Sequence, residues 1–144
     1  METATMGRVL VQATVENPRD LWAVENGLMQ ENEVRRVEIP DALVDTGATA
    51  LALPTRLIQQ LGLKKHRSRV GTTSRGSAEV SVYSAVRLIV QGRDCTVDVV
   101  EVPDEVPALI GQVPLELLDF VVDLKNRKLI GNPEHGGQQM LEMY

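Results

Sequence analysis

Residues 42–54 of the chain read ALVDTGATALALP. An apolar run in this stretch leads directly into one carboxylate, Asp45, and burying an ionised carboxylate without a partner costs several kcal/mol. Gly47 follows two residues later and allows the backbone to turn back tightly. We therefore interpret the stretch as a strand, a turn that presents Asp45 at its tip, and a second strand that begins near Leu51.

A second apolar motif occurs much later in the chain. Residues 108–111 read ALIG and lead into residues 112–118, which read QVPLELL. Together with Asp45-Thr46-Gly47-Ala48, this motif resembles the retropepsin-like aspartic proteases, the group that contains the retroviral proteases. That family has an Asp-Thr-Gly loop and a later apolar strand that ends in Gly and enters a short helix. The resemblance extends over residues 35–131, and the combination is more specific than either motif alone.

The resemblance implies an active site that is shared between two chains. Hydrolysis of a peptide bond by aspartic acids needs two carboxylates within reach of one water molecule, and this chain has a single Asp-Thr-Gly. The second Asp45 then has to come from a second copy across a two-fold axis. We expect a homodimeric aspartic endopeptidase that binds an extended polypeptide by strand addition and uses no cofactor and no metal.

The active-site loop takes its roles from the same resemblance. Asp45 is the catalytic acid or base, and Thr46 carries a hydroxyl that can form a hydrogen bond to the partner's loop. Gly47 allows substrate and partner to approach the backbone closely, and Ala48 begins the exit strand. These four residues form the predicted catalytic loop.

The substrate cleft is expected to involve the second motif and a polar segment between the two motifs. By the resemblance, Leu109 and Ile110 line the cleft or support the loop, and Gly111 permits close packing beneath Asp45. Residues 69–78 follow the Asp45 loop at the position of the family's substrate-covering flap, although they could also be a plain surface hairpin loop. The flap residues predicted in this way are Gly71, Thr72, Thr73, Ser74, Arg75, Gly76 and Ser77.

The pattern of short β-forming segments separated by turn residues predicts an all-β fold. We expect a small closed acid-protease barrel with one or two short helices, active as a two-fold homodimer. Residues 54–63 predict one of these helices, with Gly62 as its stop signal. Residues 7–15 and 21–24 are predicted to form a first hairpin around a turn.

The domain organisation is expected to be simple. We predict one domain over residues 1–144, with a core at about 7–131, because the sequence shows no internal repeat, linker or second domain. The Pro, Gly and Gln content from residue 132 onward predicts a loose tail over 132–144.

The composition argues against several classes of function. The chain has 15 Lys and Arg against 20 Asp and Glu, and its net charge of −5 argues against nucleic-acid binding. Its basic run, residues 64–67, is interpreted as a solvated loop. No segment approaches the roughly 20 apolar residues that span a bilayer, and the N-terminus lacks a signal-peptide pattern. We therefore expect a cytoplasmic protein without a membrane partner.

Several single residues have ordinary structural interpretations. Cys95 is the chain's only cysteine and is interpreted as a small buried hydrophobe. Trp22 is interpreted as a packing anchor. Asp98 is expected to face solvent, and Asp123 is expected to pair with Arg127 or to cap a turn. Neither carboxylate is followed by Thr-Gly, so neither is a candidate second catalytic Asp.

Two alternative functions stay open at this point. The same fold could serve as a dimerisation or peptide-binding module without turnover, but such a module would not need the intact Asp45-Thr46-Gly47. The chain could also be an unrelated β-barrel in which Asp-Thr-Gly is an ordinary turn, and this alternative predicts a monomer.

Overall fold

The computed structural model describes residues 8–141. Strands dominate this part of the chain, with short helices between them, as the all-β prediction requires. The strands are β1 (Val9–Glu16), β2 (Arg36–Val44), β3 (Leu51–Pro54), β4 (Lys65–Thr73), β5 (Gly76–Val90), β6 (Arg93–Val102), β7 (Leu109–Ile110), β8 (Phe120–Asp123) and β9 (Lys128–Gly131). The α-helices are α1 (Pro18–Glu25), α2 (Thr55–Leu61) and α3 (Gln112–Leu118), and single 3-10 turns lie at Glu31–Glu33 and Pro133–His135.

The main sheet closes into a ring. Its strand order is β1-β2-β7-β3-β6-β5-β4, and β1 also pairs with β5, so six strands form a closed circuit and β4 lies outside it. Strands β8 and β9 form a separate two-stranded sheet. Each ring strand pairs with a neighbour on both sides over at least part of its length, and such closure reduces the open edges through which sheets pair with other chains. The predicted all-β, barrel-like fold class is therefore confirmed, although the described residues form three short α-helices where one or two were predicted.

The core fills the ring with aliphatic side chains. On β1, Val9, Val11, Ala13 and Val15 point inward, and Leu10 between them is half-exposed, because successive side chains of a strand face opposite sides. Helices α2 and α3 add their buried leucines to the same cluster. Each Leu or Val removed from water contributes about 1.5–3 kcal/mol. Aliphatic burial therefore stabilises the ring in a chain that is 3% aromatic.

Strand β5 takes part in both the β4–β5 hairpin and the closed ring. Its first part pairs with β4 from Thr73↔Gly76 to Lys65↔Tyr83, and its last part pairs with β1 through Leu88 and its neighbours. The pairing with β6 shifts register between Tyr83 and Val86. The β4–β5 hairpin consequently extends from the ring, and its residues before Val80 are almost all exposed.

The predicted first hairpin is wrong at its second strand. Residues 21–24 lie in α1, and β1 pairs instead with β2. Asn17 caps the helix, since its side chain accepts hydrogen bonds from the backbone N–H groups of Arg19 and Asp20, and Pro18 suits the first helical position. Trp22 is 58% exposed on this helix and is not a packing anchor. Gly7, where the sequence placed the start of the hairpin and of the core, lies outside the described residues.

The segment after β9 is tied to the barrel over its described part, residues 132–141. Asp119, only 6% exposed, caps α3 and accepts hydrogen bonds from Asn132 Nδ2 at 3.2 Å and from Met140 N at 3.0 Å. His135 Nδ1 lies 2.6 Å from Asp119 Oδ2, and this contact holds the pKa of Asp119 below its usual value. Arg93 donates to the carbonyl of Gly137 from β6. The sequence predicted a loose tail from residue 132. In the structure, these contacts attach residues 132–141 to the barrel.

Candidate active site

The Asp45 loop connects β2 to β3, which are not neighbours in the sheet. Strand β7 lies between them, parallel to β2 with Val44 opposite Ile110 and antiparallel to β3 with Leu51 opposite Ile110. The backbone N–H of Asp45 donates to the carbonyl of Ile110 at 3.0 Å. The two sequence motifs therefore lie on neighbouring strands of one sheet, although more than sixty positions separate Val44 from Ile110 along the chain.

The loop presents the carboxylate of Asp45 at its tip. The backbone N–H of Gly47 donates to Asp45 Oδ1 at 2.9 Å, and that of Ala48 donates to the Asp45 carbonyl at 3.1 Å. This is a side-chain-closed turn of the kind that Asp favours. Asp45 and Ala48 are half-buried, and Thr46 and Gly47 are exposed. The carboxylate is thus fixed in direction but stays accessible, as a reacting group must be.

Gly111 allows the second motif to pack directly beneath this loop. A Cβ at this position would lie 2.5 Å from the carbonyl oxygen of Ala50 and 2.7 Å from that of Ala48. Both neighbours are backbone atoms, so they cannot move aside as a side chain could. A residue larger than glycine would push the loop away from the helix.

The backbone N–H groups at the start of α3 donate hydrogen bonds to the Asp45 loop. The N–H groups of Gly111, Gln112 and Val113 donate to the carbonyls of Ala50 (3.0 Å), Ala48 (2.8 Å) and Thr49 (2.9 Å). The first N–H groups of a helix have no partner inside it. The loop that carries Asp45 supplies partners for those of α3, and its backbone is held in place in return.

The other residues of the second motif lie deeper. Ile110 is fully buried and belongs to the core, and Leu109 is half-buried. The resemblance offered two roles, lining the cleft or supporting the loop. The complete burial of Ile110 fits support of the loop. The structure brings Leu109, Ile110 and Gly111 next to the Asp45 loop through the β7 pairings.

The predicted flap residues occupy the end of the β4–β5 hairpin. Ser74 and Arg75 form its turn, which Thr73 closes by donating from Oγ1 to the Gly76 carbonyl at 2.8 Å and accepting from Arg75 N at 3.1 Å. Gly76 has φ +104°, a conformation that L-residues with side chains rarely adopt. Gly71 is half-buried against Val80, and the other predicted flap residues are exposed.

A surface groove of about 560 Å³ extends from the end of the Asp45 loop along this hairpin. We call it the hairpin groove; its lining includes Thr49, Arg67, Arg69, Val80, Val113 and Leu117. Of these residues, the sequence had placed only Arg69 near the site, at the start of the predicted flap segment 69–78. The spacing offered a signal, since Arg67 and Arg69 share one face of a strand and Val113 and Leu117 share one face of a helix.

The two other carboxylates that the sequence singled out, Asp98 and Asp123, have partners of their own. Asp98 Oδ2 lies 3.7 Å from Arg67 Nη2 at the surface. Asp123 caps the β8–β9 turn by accepting from Asn126 N and Nδ2, which is one of its two predicted roles, and these bonds hold its pKa below the usual value. Burial raises the pKa of the Cys95 thiol to about 11. Over residues 8–141, no three His, Cys, Asp or Glu side chains form a cluster that could hold a metal ion.

A family model described as aspartyl protease matches residues 31–113, more than half of the chain. The chain belongs to the aspartyl protease family. The match includes the Asp45 loop, the hairpin and the second motif up to Val113, which confirms the retropepsin-like identification. No curated protein matches this aspartyl protease. None of its described helices has the length and apolar character needed to cross a membrane.

Proposed function

We propose that this aspartyl protease hydrolyses peptide bonds as a two-fold homodimer in which each copy contributes Asp45. The observation that carries the proposal is the accessible Asp45 carboxylate, fixed by the Gly47 N–H and supported from below through Gly111. Two such carboxylates brought together cannot both be ionised readily, so they share one proton, as in aspartic proteases generally. A single copy would lack half of this pair.

The proposed chemistry needs only the two carboxylates and water. The ionised Asp45 takes a proton from the water molecule while the water oxygen attacks the scissile carbonyl carbon. The protonated Asp45 of the other copy donates a hydrogen bond to the carbonyl oxygen and stabilises the negative charge that develops there. The Asp45 that took a proton from the water passes it to the amide nitrogen, so that the C–N bond breaks, the water oxygen stays in the new carboxyl group, and the two Asp45 side chains again share one proton.

The β4–β5 hairpin supports the same proposal as a cover for the substrate. Its end is exposed, its turn is short, and Gly76 adopts a backbone conformation that favours glycine. An extended peptide would bind as an added strand, with alternate side chains on opposite sides. Closure of the hairpin over the peptide would exclude water from the reaction.

The test compares Asp45→Asn with Asp41→Asn on a library of unstructured peptides. Each change removes one carboxylate, Asp41 from β2 and Asp45 from the loop that follows β2. Asp41 is exposed on the strand and has no role in the proposed chemistry. Asp45→Asn should lower cleavage by at least about 10³-fold with an unchanged circular dichroism spectrum. Asp41→Asn should retain wild-type activity. Cleavage by Asp45→Asn at the wild-type rate would overturn the proposal.

A further inference from the structure

The segment that borders the hairpin groove, β4 with its flanking residues, is basic on a molecule whose net charge is −5, and Asp98 is the acidic residue in the groove lining. Residues 64–75 contain five of the chain's 15 Lys and Arg residues and no Asp or Glu. The five are exposed, and they are Lys64, Lys65, Arg67, Arg69 and Arg75. A local patch of one sign on a molecule of the other sign attracts ligands by its own field. An acidic ligand would therefore be drawn to this hairpin and repelled elsewhere.

The floor of the groove is apolar, and the arginines stand at its edge. Arg67 pairs with Val82 and Arg69 pairs with Val80 across the β4–β5 hairpin, and Val82 in turn pairs with Val100 of β6. Directly paired residues lie on the same face of a sheet. One face of three strands thus presents valines beside two guanidinium groups.

The opposite wall of the groove is also apolar. Val113 and Leu117 of α3 are 44% and 45% exposed, and both line the groove. They are one helical turn apart and face the valines of the hairpin across the opening. An occupant therefore has to offer apolar side chains as well as negative charge.

The guanidinium groups have little competition for an incoming carboxylate. Arg67 Nη2 lies 3.7 Å from Asp98 Oδ2, too far for a hydrogen bond, and both side chains are nearly half exposed. The guanidinium group of Arg69 makes no ion pair or hydrogen bond with any residue in the described range 8–141, and only the backbone of Arg69 pairs with β5. Arginine binds carboxylates in a bidentate manner, which is the strongest form of such contact.

The groove is continuous with the Asp45 loop. Thr49 lines it, directly follows Ala48 of the loop, and accepts a hydrogen bond from Val113 N at 2.9 Å. An extended peptide that passes Asp45 can therefore continue along the groove. Side chains two residues apart on such a peptide lie on one face, roughly 6.6 Å apart, which is also the spacing of Arg67 and Arg69 on β4.

We propose that the hairpin groove selects peptide substrates that carry an acidic side chain, held by Arg69 and Arg67, beside an apolar side chain that packs on the valines. The inference rests on the proposed peptidase function, because it names the class of peptide that reaches Asp45. The apolar floor and wall favour a peptide over a nucleic acid, whose charged backbone would gain nothing from them.

The experiment uses a positional-scanning library of ten-residue peptides in which Glu, Gln or Lys is fixed at each position in turn. Cleavage is measured with the wild type, and retention is measured separately on immobilised Asp45→Asn, which binds without turnover. At one position, Glu should be preferred over Gln about tenfold in both assays, and Lys should be disfavoured. The preference should weaken as salt is added.

Charge reversal then assigns the preference to the groove. Arg69→Glu should invert it, so that Lys is preferred over Glu at the same position, and Arg69→Gln should abolish it. Arg19→Glu on α1 is the matched control, because it makes the same charge change at an exposed arginine outside the groove. This control should keep the wild-type preference for Glu.

The possible results distinguish a failure of the groove proposal from a failure of the proposed peptidase function. Cleavage without any preference for Glu, or with a preference that Arg69→Glu leaves unchanged, overturns the inference and leaves the peptidase. Glu-dependent retention without cleavage by the wild type supports the groove and overturns the peptidase. Tighter binding of a twelve-nucleotide single-stranded RNA than of the best Glu peptide would overturn the inference in favour of a nucleic-acid surface.

Discussion

At the scale of single residues, Asp45 differs from the acids that the fold buries. Glu16, Asp20 and Asp119 are buried, and each has a basic partner: Arg36 and Arg87 for Glu16, Arg35 for Asp20 and His135 for Asp119. A buried carboxylate requires such a partner, because desolvation otherwise favours its neutral form. Asp45 is half-buried, and its oxygen accepts from a backbone N–H of Gly47. Its position is set by the turn rather than by an ion pair.

The contact beneath this turn gives a prediction for Gly111. Gly111→Ala should destabilise the protein by about 1–3 kcal/mol, because the new Cβ would overlap the carbonyls of Ala50 and Ala48. Gly71→Ala is the control, since its Cβ would meet only the Val80 methyl groups at 3.2 and 3.3 Å, a contact that a small shift of this partly exposed side chain relieves, and it should change stability by less than about 1 kcal/mol. Urea unfolding of both variants measures the difference. Equal stabilities would show that the loop can move away from α3 without cost.

At the scale of elements, α1 and its ion pair connect two distant parts of the ring. Asp20 Oδ2 and Oδ1 accept from Arg35 Nε at 2.8 Å and Nη2 at 2.9 Å, and the Arg35 backbone N–H donates to the same carboxylate. Asn17 Nδ2 donates to the Leu61 carbonyl at the end of α2. Helix α1 is thereby fixed both to the start of β2 and to α2.

This arrangement predicts the effect of Asp20→Asn. Loss of the charged, bidentate contact should cost about 1.5–3 kcal/mol of unfolding free energy. Asp94→Asn is the control, because Asp94 pairs with Arg87 at 3.2 Å with both side chains well exposed, and such pairs contribute about 0.2–1 kcal/mol. Thermal and urea unfolding at neutral pH compare the two. A cost for Asp20→Asn no greater than that for Asp94→Asn would contradict the assigned role of α1.

The same ion pair gives a prediction for acid stability. Hydrogen bonds from Arg35 hold the pKa of Asp20 below its usual value. A carboxylate whose pKa is lowered by folding stabilises the protein above its unfolded pKa of about 3.9, and this contribution is lost as the pH falls through the folded pKa. Stability should therefore fall below about pH 4, less steeply in Asp20→Asn than in the wild type. Parallel pH profiles of unfolding free energy for the two proteins would exclude Asp20 as a source of the effect.

At the scale of the whole molecule, the closed ring leaves one Asp-Thr-Gly loop per chain. The peptidase that we propose is therefore coupled to assembly: two Asp45 carboxylates meet when two copies associate. Like charges at short distance repel, so association should be hindered where both groups are ionised and helped where they share a proton. Activity and assembly should respond to the same two groups.

This coupling predicts a stronger dimer for Asp45→Asn at alkaline pH. The variant lacks the repulsion between carboxylates, so its dimer at about pH 8 should dissociate with a constant roughly tenfold lower than that of the wild type. At about pH 5 the two constants should approach each other. Sedimentation equilibrium measures both proteins, with Asp41→Asn as a charge-matched control that should behave as the wild type. Monomers at every pH would overturn the shared active site.

The sequence alone determined the features that depend on neighbouring residues. The Asp45 turn follows from Asp and Gly two positions apart, and Gly62 ends α2 in the left-handed conformation, φ 63°, as a stop glycine should. The pattern of short β-forming segments separated by turn residues was sufficient for the all-β class, because both strand propensity and turn chemistry are local properties. The family resemblance added the relation between the two motifs, which neither motif shows by itself.

Only the tertiary structure decided the features that depend on distant partners. The Asn17 cap of α1 is a local signal that was already present in the sequence, whereas the pairing of Asp20 with Arg35, which lies beyond the helix, appears only in the tertiary structure. The segment after β9 is held by Asp119 and Arg93, whose environments no local pattern specifies. The hairpin groove joins residues of β4, β5, β6 and α3 that meet only when the ring closes. Local periodicity encodes which side of an element is apolar, whereas long-range pairing determines what that side contacts.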